Sequence, residues 1–215
     1  MITTEEYRAR RQNLINQLPK DSIAIIFANT EVIRNGDAHY RFRQDSNFYY
    51  LTGFNEPQAI LIIDPEQQQS IIFNQAHDPQ TEIWHGKVLG QETAKAELGV
   101  DTAYPITDIE LHLKNLLSTK AKVFYDLQQF ANYEQYLLPV MQLLKNSTQR
   151  NSSACTSLHD LKPLISEMRL IKSPAEIELM QKAVEISVAA HKRTWKKLAN
   201  SANEAIIEAE LLYEM

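Results

Sequence analysis

Glycine and cysteine are scarce: the 215 residues hold five glycines and one cysteine. So few glycines leave no Gly-rich loop of the kind that cradles phosphate groups. The lone Cys155 excludes an internal disulfide framework and fits a reducing compartment. No apolar run approaches the roughly 20 residues needed to cross a bilayer. The opening stretch, MITTEEYRAR, lacks an apolar core, so no secretory signal is expected. Net charge is −5 with no basic block, which argues against nucleic acid as a partner. These absences lead to the expectation of a cytoplasmic protein that binds neither nucleic acid nor membrane. Hydrophobic residues make up 44% and charged residues 23%, an ordinary globular composition, and the length suits one domain with something left over.

Catalytic patterns are missing as well. None of the six histidines forms a pair with H-x-x-x-H spacing, and no serine sits in a G-x-S-x-G elbow. Cys155 lies in a polar stretch four residues before His159, and reads as an incidental loop thiol rather than a nucleophile with its base. His191 falls on an apolar helical stripe and reads as a core or interface histidine. On the residues alone the chain carries no catalytic centre.

What is present is a regular alternation of apolar runs. Thr3 and Glu6 make a capping box for a helix that ends before Pro19. Ser22–Ala28 is an almost continuous apolar run, expected to be a buried central strand. Asn35-Gly36 marks a turn. Ala59–Ile63 and Ser70–Phe73 read as an antiparallel pair, and Asp78-Pro79 as the start of an irregular segment holding Trp84 and Gly86. A helix over Gln91–Leu98 closes on Gly99. Another is capped by Thr107, and the strand Lys122–Leu127 follows. A helix over Ala131–Lys145 contains Pro139, which should kink or divide it. After a polar loop, Leu158–Leu170 reads as an amphipathic helix. The pattern predicts an α/β fold with a mixed β-sheet flanked by helices.

Ser173-Pro174-Ala175-Glu176 opens a further helix to about Leu198, with Ile177, Met180, Val184, Val188, His191, Trp195 and Leu198 on one stripe. Ser201 and Glu204 are expected to cap the next. These two helices carry apolar faces with little of their own domain to bury them, so the chain is expected to be one complete domain followed by the opening of a second.

The densest run of special residues is Tyr40–Pro57, YRFRQDSNFYYLTGFNEP. Phe48–Leu51 reads there as a buried strand, broken at Gly53 and turned at Asn55-Glu56-Pro57. The run resembles the signature of the N-terminal domain of bacterial aminopeptidase P (Xaa-Pro aminopeptidase), most specifically from Asp45 to Pro57. Glu82–Gly86, Leu89–Gln91 and Glu167–Ile177 agree with the same family in the same order. The resemblance implies a creatinase N-terminal-like domain with a ribonuclease H-like motif over residues 1–172. Residues 173–215 would then be the first helices of a pita-bread metallopeptidase domain.

The activity implied is release of the N-terminal residue from peptides with proline second, by a two-metal centre, usually manganese, held by Asp, Asp, His, Glu and Glu. Those five ligands would lie beyond residue 215, so no catalytic or metal-binding residue carries over to this chain, which by itself should be inactive. Two substrate-side residues do carry over. Trp84 matches a tryptophan that approaches the active site of a neighbouring subunit, and Arg150 a loop arginine that does likewise. A homo-oligomer, dimer or tetramer, is implied. A prolidase or creatinase-type hydrolase on the same architecture, or a freestanding interaction module without catalysis, are the other readings.

Overall fold

The computed structural model describes residues 2–146, 155, 157–199 and 201–215, without the side chains of Thr81, Trp84 and His85. The chain divides into two compact units, Thr3–Arg169 and Leu170–Met215 with Ile2.

In the larger unit, β1 (Ser22–Phe27) is buried at every position, as a strand covered on both faces must be. Its side chains alternate between two cores. Ile23, Ile25 and Phe27 enter one, and Ala24 and Ile26 enter the other. Around it lie β4 (Ile60–Asp64), β5 (Gln69–Asn74), β6 (Thr102–Pro105), β7 (Lys122–Tyr125) and β8 (Ser157–Asp160). The sheet order is β6-β5-β4-β1-β7-β8. β4 runs antiparallel to both β1 and β5, while the β5–β6, β1–β7 and β7–β8 pairs are parallel. This is the mixed sheet flanked by helices that the alternation of apolar runs predicts. A separate hairpin, β2 (Ile33–Asn35) with β3 (Ala38–His39), turns at Gly36 and is exposed throughout.

Helices cover each face. One core takes Leu14 and Ile15 of α1 (Thr4–Gln17), Phe48 and Leu51 of α2 (Ser46–Thr52), Ala94 and Leu98 of α4 (Gly90–Leu98), and Ile165 of α8 (Lys162–Met168). The other takes Leu113 and Leu117 of α5 (Ile109–Leu117) and Val140, Met141 and Leu144 of α7 (Leu138–Asn146).

Several elements differ from the sequence expectation. Phe48–Leu51 is helical, not a strand. Asp45 Oδ1 accepts from the Asn47 and Phe48 amides, and Phe48, Leu51 and Thr52 then share the buried face at helical spacing. Capping and the i, i+3, i+4 pattern override the β preference of aromatics. The segment after Asp78 is not irregular but forms α3 (Pro79–His85), capped by Asp78 with proline in its first turn. Leu158–Asp160 belongs to β8, because the free edge of β7 supplies parallel backbone partners; α8 starts after it. A 3₁₀ turn (Ile106–Asp108) precedes α5, and Thr107 Oγ1 donates to Asp108 rather than capping the helix. Pro139 does divide its helix. α6 (Phe130–Asn132) and α7 are joined by a π-helical turn at Tyr133–Leu137, as expected where a proline lacks the N–H for the α-helical ladder.

Two of the buried cations, Arg11 and Lys120, tie the layers together. Arg11 donates to the carbonyls of Leu51, Leu98 and Gly99, the C-terminal ends of α2 and α4, where the helix dipoles favour positive charge. Burial pushes its guanidinium down to about 10, against the opposing charge of Asp101. Lys120 reaches Asp64 at 2.8 Å and Glu66 at 2.7 Å, joining the loop before β7 to the end of β4. Burial alone would lower the Lys120 pKa, but the two carboxylates outweigh it and raise the value.

The smaller unit consists of α9 (Pro174–Leu198) and α10 (Glu204–Glu214). Ser173 and Glu176 form both halves of a capping box. Asn203, not Ser201, caps α10 through Ile206 N. Arg193 bridges Glu210 and Glu214 and stacks on Tyr213 at 4.4 Å, and Lys197 also reaches Glu210. Ala190 and Thr194 are the buried positions of α9, so the stripe expected to be its apolar face, from Ile177 to Trp195, stays largely exposed.

Two substitutions test this account by urea unfolding. Gly53 closes α2 at φ +69° with Tyr7 Cε2 only 2.6 Å from the position of an added Cβ. Gly53→Ala is therefore expected to lose about 1–3 kcal/mol. Lys120→Met leaves the Asp64 carboxylate buried without its cation and is expected to lose about 3 kcal/mol.

Candidate functional site

The signature run folds into a platform around Gln44. This side chain is buried, and its carboxamide is fully engaged. Oε1 accepts from the amides of Asn29 (2.8 Å) and Asp45 (2.9 Å), and Nε2 donates to the carbonyls of Phe54 (3.3 Å) and Glu56 (2.8 Å). One side chain thus joins the exit of β1, the cap of α2 and the Asn55–Pro57 turn. Gln58 follows with φ 56°, a left-handed conformation uncommon for a residue with a side chain.

Behind α2, Tyr50 lies under the Arg10 guanidinium at 4.2 Å and donates to Met168 O at 3.0 Å. Arg169 donates to Asn47 Oδ1. The Glu167–Arg169 part of the last signature stretch therefore packs on the first.

The loop carrying α3 leaves β5 at Asn74 and returns at Gly90. Its ends are tied together by Asn74 Nδ2 donating to Gly90 O (3.0 Å) and Gln91 Nε2 donating to the carbonyls of Asn74 and Gln75 (3.2 Å each). Glu56 Oε1 accepts from the Leu89 amide at 2.9 Å. Its Oε2 is buried with no hydrogen-bond partner among the described residues. Burial raises the Glu56 carboxyl pKa, and the Leu89 bond opposes that rise. Within the loop, His77 Nε2 lies 2.9 Å from Glu82 Oε1, and Ile83 points outward, 79% exposed.

Of the residues singled out in the sequence, Trp84 lies in the last turn of α3, with its side chain outside the described atoms. Arg150 lies outside the described residues. Cys155 is buried and its thiol pKa is raised by that burial, the opposite of what a nucleophilic thiolate needs. Its Sγ donates to Ser157 O, and the His159 ring stacks on Phe124 at 4.8 Å. Gln44 and Glu56 were not singled out by sequence reasoning. Glu56 stands in the Asn-Glu-Pro turn, the one available signal; nothing in the pattern around Gln44 marks it as buried.

A cavity of about 410 Å³ opens near the end of β1, lined by Phe27, Gln58, Thr107, Glu110, Gln135 and Tyr136 among others. Glu110 is the one charged residue among its described lining. No three His, Cys, Asp or Glu side chains come together as a metal-binding group among the described residues, so these residues do not fit a two-metal centre. No helix among them is long and apolar enough to cross a membrane.

Comparison with known proteins gives the family. The family described as aminopeptidase P, N-terminal domain, matches residues 7–125. The chain belongs to that family. It is 37% identical over 216 residues to the Xaa-Pro aminopeptidase of Escherichia coli, covering 99% of this chain and 49% of the relative. The Xaa-Pro aminopeptidase of Haemophilus influenzae is 36% identical, with 99% of this chain and 47% of the relative covered. A solved structure of E. coli aminopeptidase P with the inhibitor Pro-Leu superposes with a TM-score of 0.93 at 36% identity, over 99% of this chain and 49% of that one. The chain thus spans about half the length of the curated relatives it matches.

The raised Glu56 carboxyl sets a pH dependence. A raised folded-state pKa means its contribution to stability is complete below the ordinary value of 4.5 and is lost as pH rises through the raised one. Glu56→Gln, which stays uncharged and keeps an acceptor for Leu89, is therefore expected to gain on the wild-type protein in urea midpoint between about pH 4 and about pH 7. A constant difference across that range would contradict the assignment.

Proposed function

We propose that this chain is the non-catalytic N-terminal portion of a Xaa-Pro aminopeptidase, a peptidase that releases the N-terminal residue from peptides with proline in second place. The observation that carries the reading is the end-to-end match of this chain to about half of such enzymes, at 37% identity to the E. coli relative.

In this reading the domain serves assembly of a homo-oligomer and controls access of peptides to a neighbouring subunit's site. Trp84 presents an aromatic surface to the substrate, and Arg150 a guanidinium able to hold a peptide carbonyl or carboxylate. The two manganese ions of the parent enzyme are held by residues outside these 215, and the enzyme works in the cytoplasm.

Purified chain is expected to release no N-terminal residue from an Xaa-Pro peptide in the presence of Mn²⁺, whereas the full-length protein does so. Manganese-dependent release by the chain alone, or an inert full-length protein, overturns the reading.

A further inference from the structure

We propose that Glu56 is a positioning residue that holds the α3 loop, and with it Trp84, against the Asn55–Pro57 turn. The role of Trp84 toward substrate rests on the function proposed above; the holding of the loop does not.

Little else fixes this loop beyond the half-buried Leu89 side chain, which packs on the core shared by α1, α2 and α4. Residues 75–89 span the gap between β5 and α4, and none of their described side chains is buried. Their internal bonds are local. Asp78 caps α3, Gly86 N donates to Glu82 O, and His77 meets Glu82. Bonds from the rest of the domain reach the loop at its feet. On one side Gln75 Nε2 donates to Gln58 Oε1 at 3.3 Å and Gln75 O accepts from Gln91 Nε2 at 3.2 Å, and on the other Leu89 N donates to Glu56 Oε1 at 2.9 Å. The last is the shortest, and its acceptor is a carboxylate, the stronger class of hydrogen bond.

Glu56 is well prepared for this task. Its own carbonyl is held by the buried Gln44, and Pro57 follows it, so the backbone that presents the carboxylate is fixed. Its second oxygen is buried without a partner among the described residues, which costs the fold stability. The bond to Leu89, 33 residues away, is what the structure gains at this position. Removing the carboxylate should free the C-terminal foot of the loop and leave the two cores intact.

Amide hydrogen exchange on the chain tests this directly. Glu56→Ala is expected to speed exchange at Leu89 and through α3 about ten- to a hundredfold, with amides of β1 and β4 unchanged. Glu56→Gln keeps an acceptor and should restore protection to within about threefold of wild type. Unchanged exchange in Glu56→Ala, or acceleration spread evenly over the domain, overturns the proposal.

In the full-length protein, Glu56→Ala is expected to raise KM for an Xaa-Pro peptide about fivefold with kcat within about twofold, and Glu56→Gln to recover most of the loss. A loosened loop with unchanged KM overturns the link from Glu56 to substrate. An inert wild-type full-length protein overturns the proposed function instead, and the exchange result still decides whether Glu56 holds the loop.

Discussion

The four hydrogen bonds of the buried Gln44 carboxamide are the constraint on which the signature region depends. A buried polar side chain is tolerated when its donors and acceptors are matched, and here two carbonyls and two amides converge on it. Those four groups come from three places: the end of β1, the start of α2 and the turn that leads into β4. None of the three could shift without breaking a bond in a site closed to water. The family signature is in this sense a folding device before it is a functional one. It fixes the turn from which Glu56 reaches the α3 loop.

Arg11 does for the helical layer what Gln44 does for the turn. It fills the C-terminal ends of α2 and α4 with one guanidinium, so helices distant in sequence share a single counter-charge. Lys120 plays a similar part at the end of β4, between Asp64 and Glu66. Each is a long buried side chain held by groups distant in sequence, Arg11 by three carbonyls and Lys120 by two carboxylates, which favours one arrangement of the layers over near alternatives that would strand it. The sheet then supplies the bulk of the stability through two cores of aliphatic and aromatic side chains.

The larger unit combines the sheet, the signature turn and a loop carrying α3 in which none of the described side chains is buried, a scaffold that presents one short element. The smaller unit is a helix pair joined by Arg193 and Lys197 to Glu210, with much of its apolar surface outward.

The sequence by itself determined the strands that are buried on both faces, because continuous apolar runs such as Ser22–Phe27 and Ile60–Asp64 have few other places to go. It also determined the helix starts with strong caps, Thr3 and Ser173, and the family, through a motif dense enough to stand alone. Tertiary structure decided the rest. Phe48–Leu51 became helical because Asp45 caps it and the Phe48–Leu51 spacing faces a core that sequence cannot display. Ser157–Asp160 became a strand because β7 had a free edge, a partner distant in sequence. Gln44 and Glu56 acquired their roles in the same way. Whether a polar side chain is a solvated surface group or a buried junction depends on which distant carbonyls and amides close around it, and that is set only once the layers have packed.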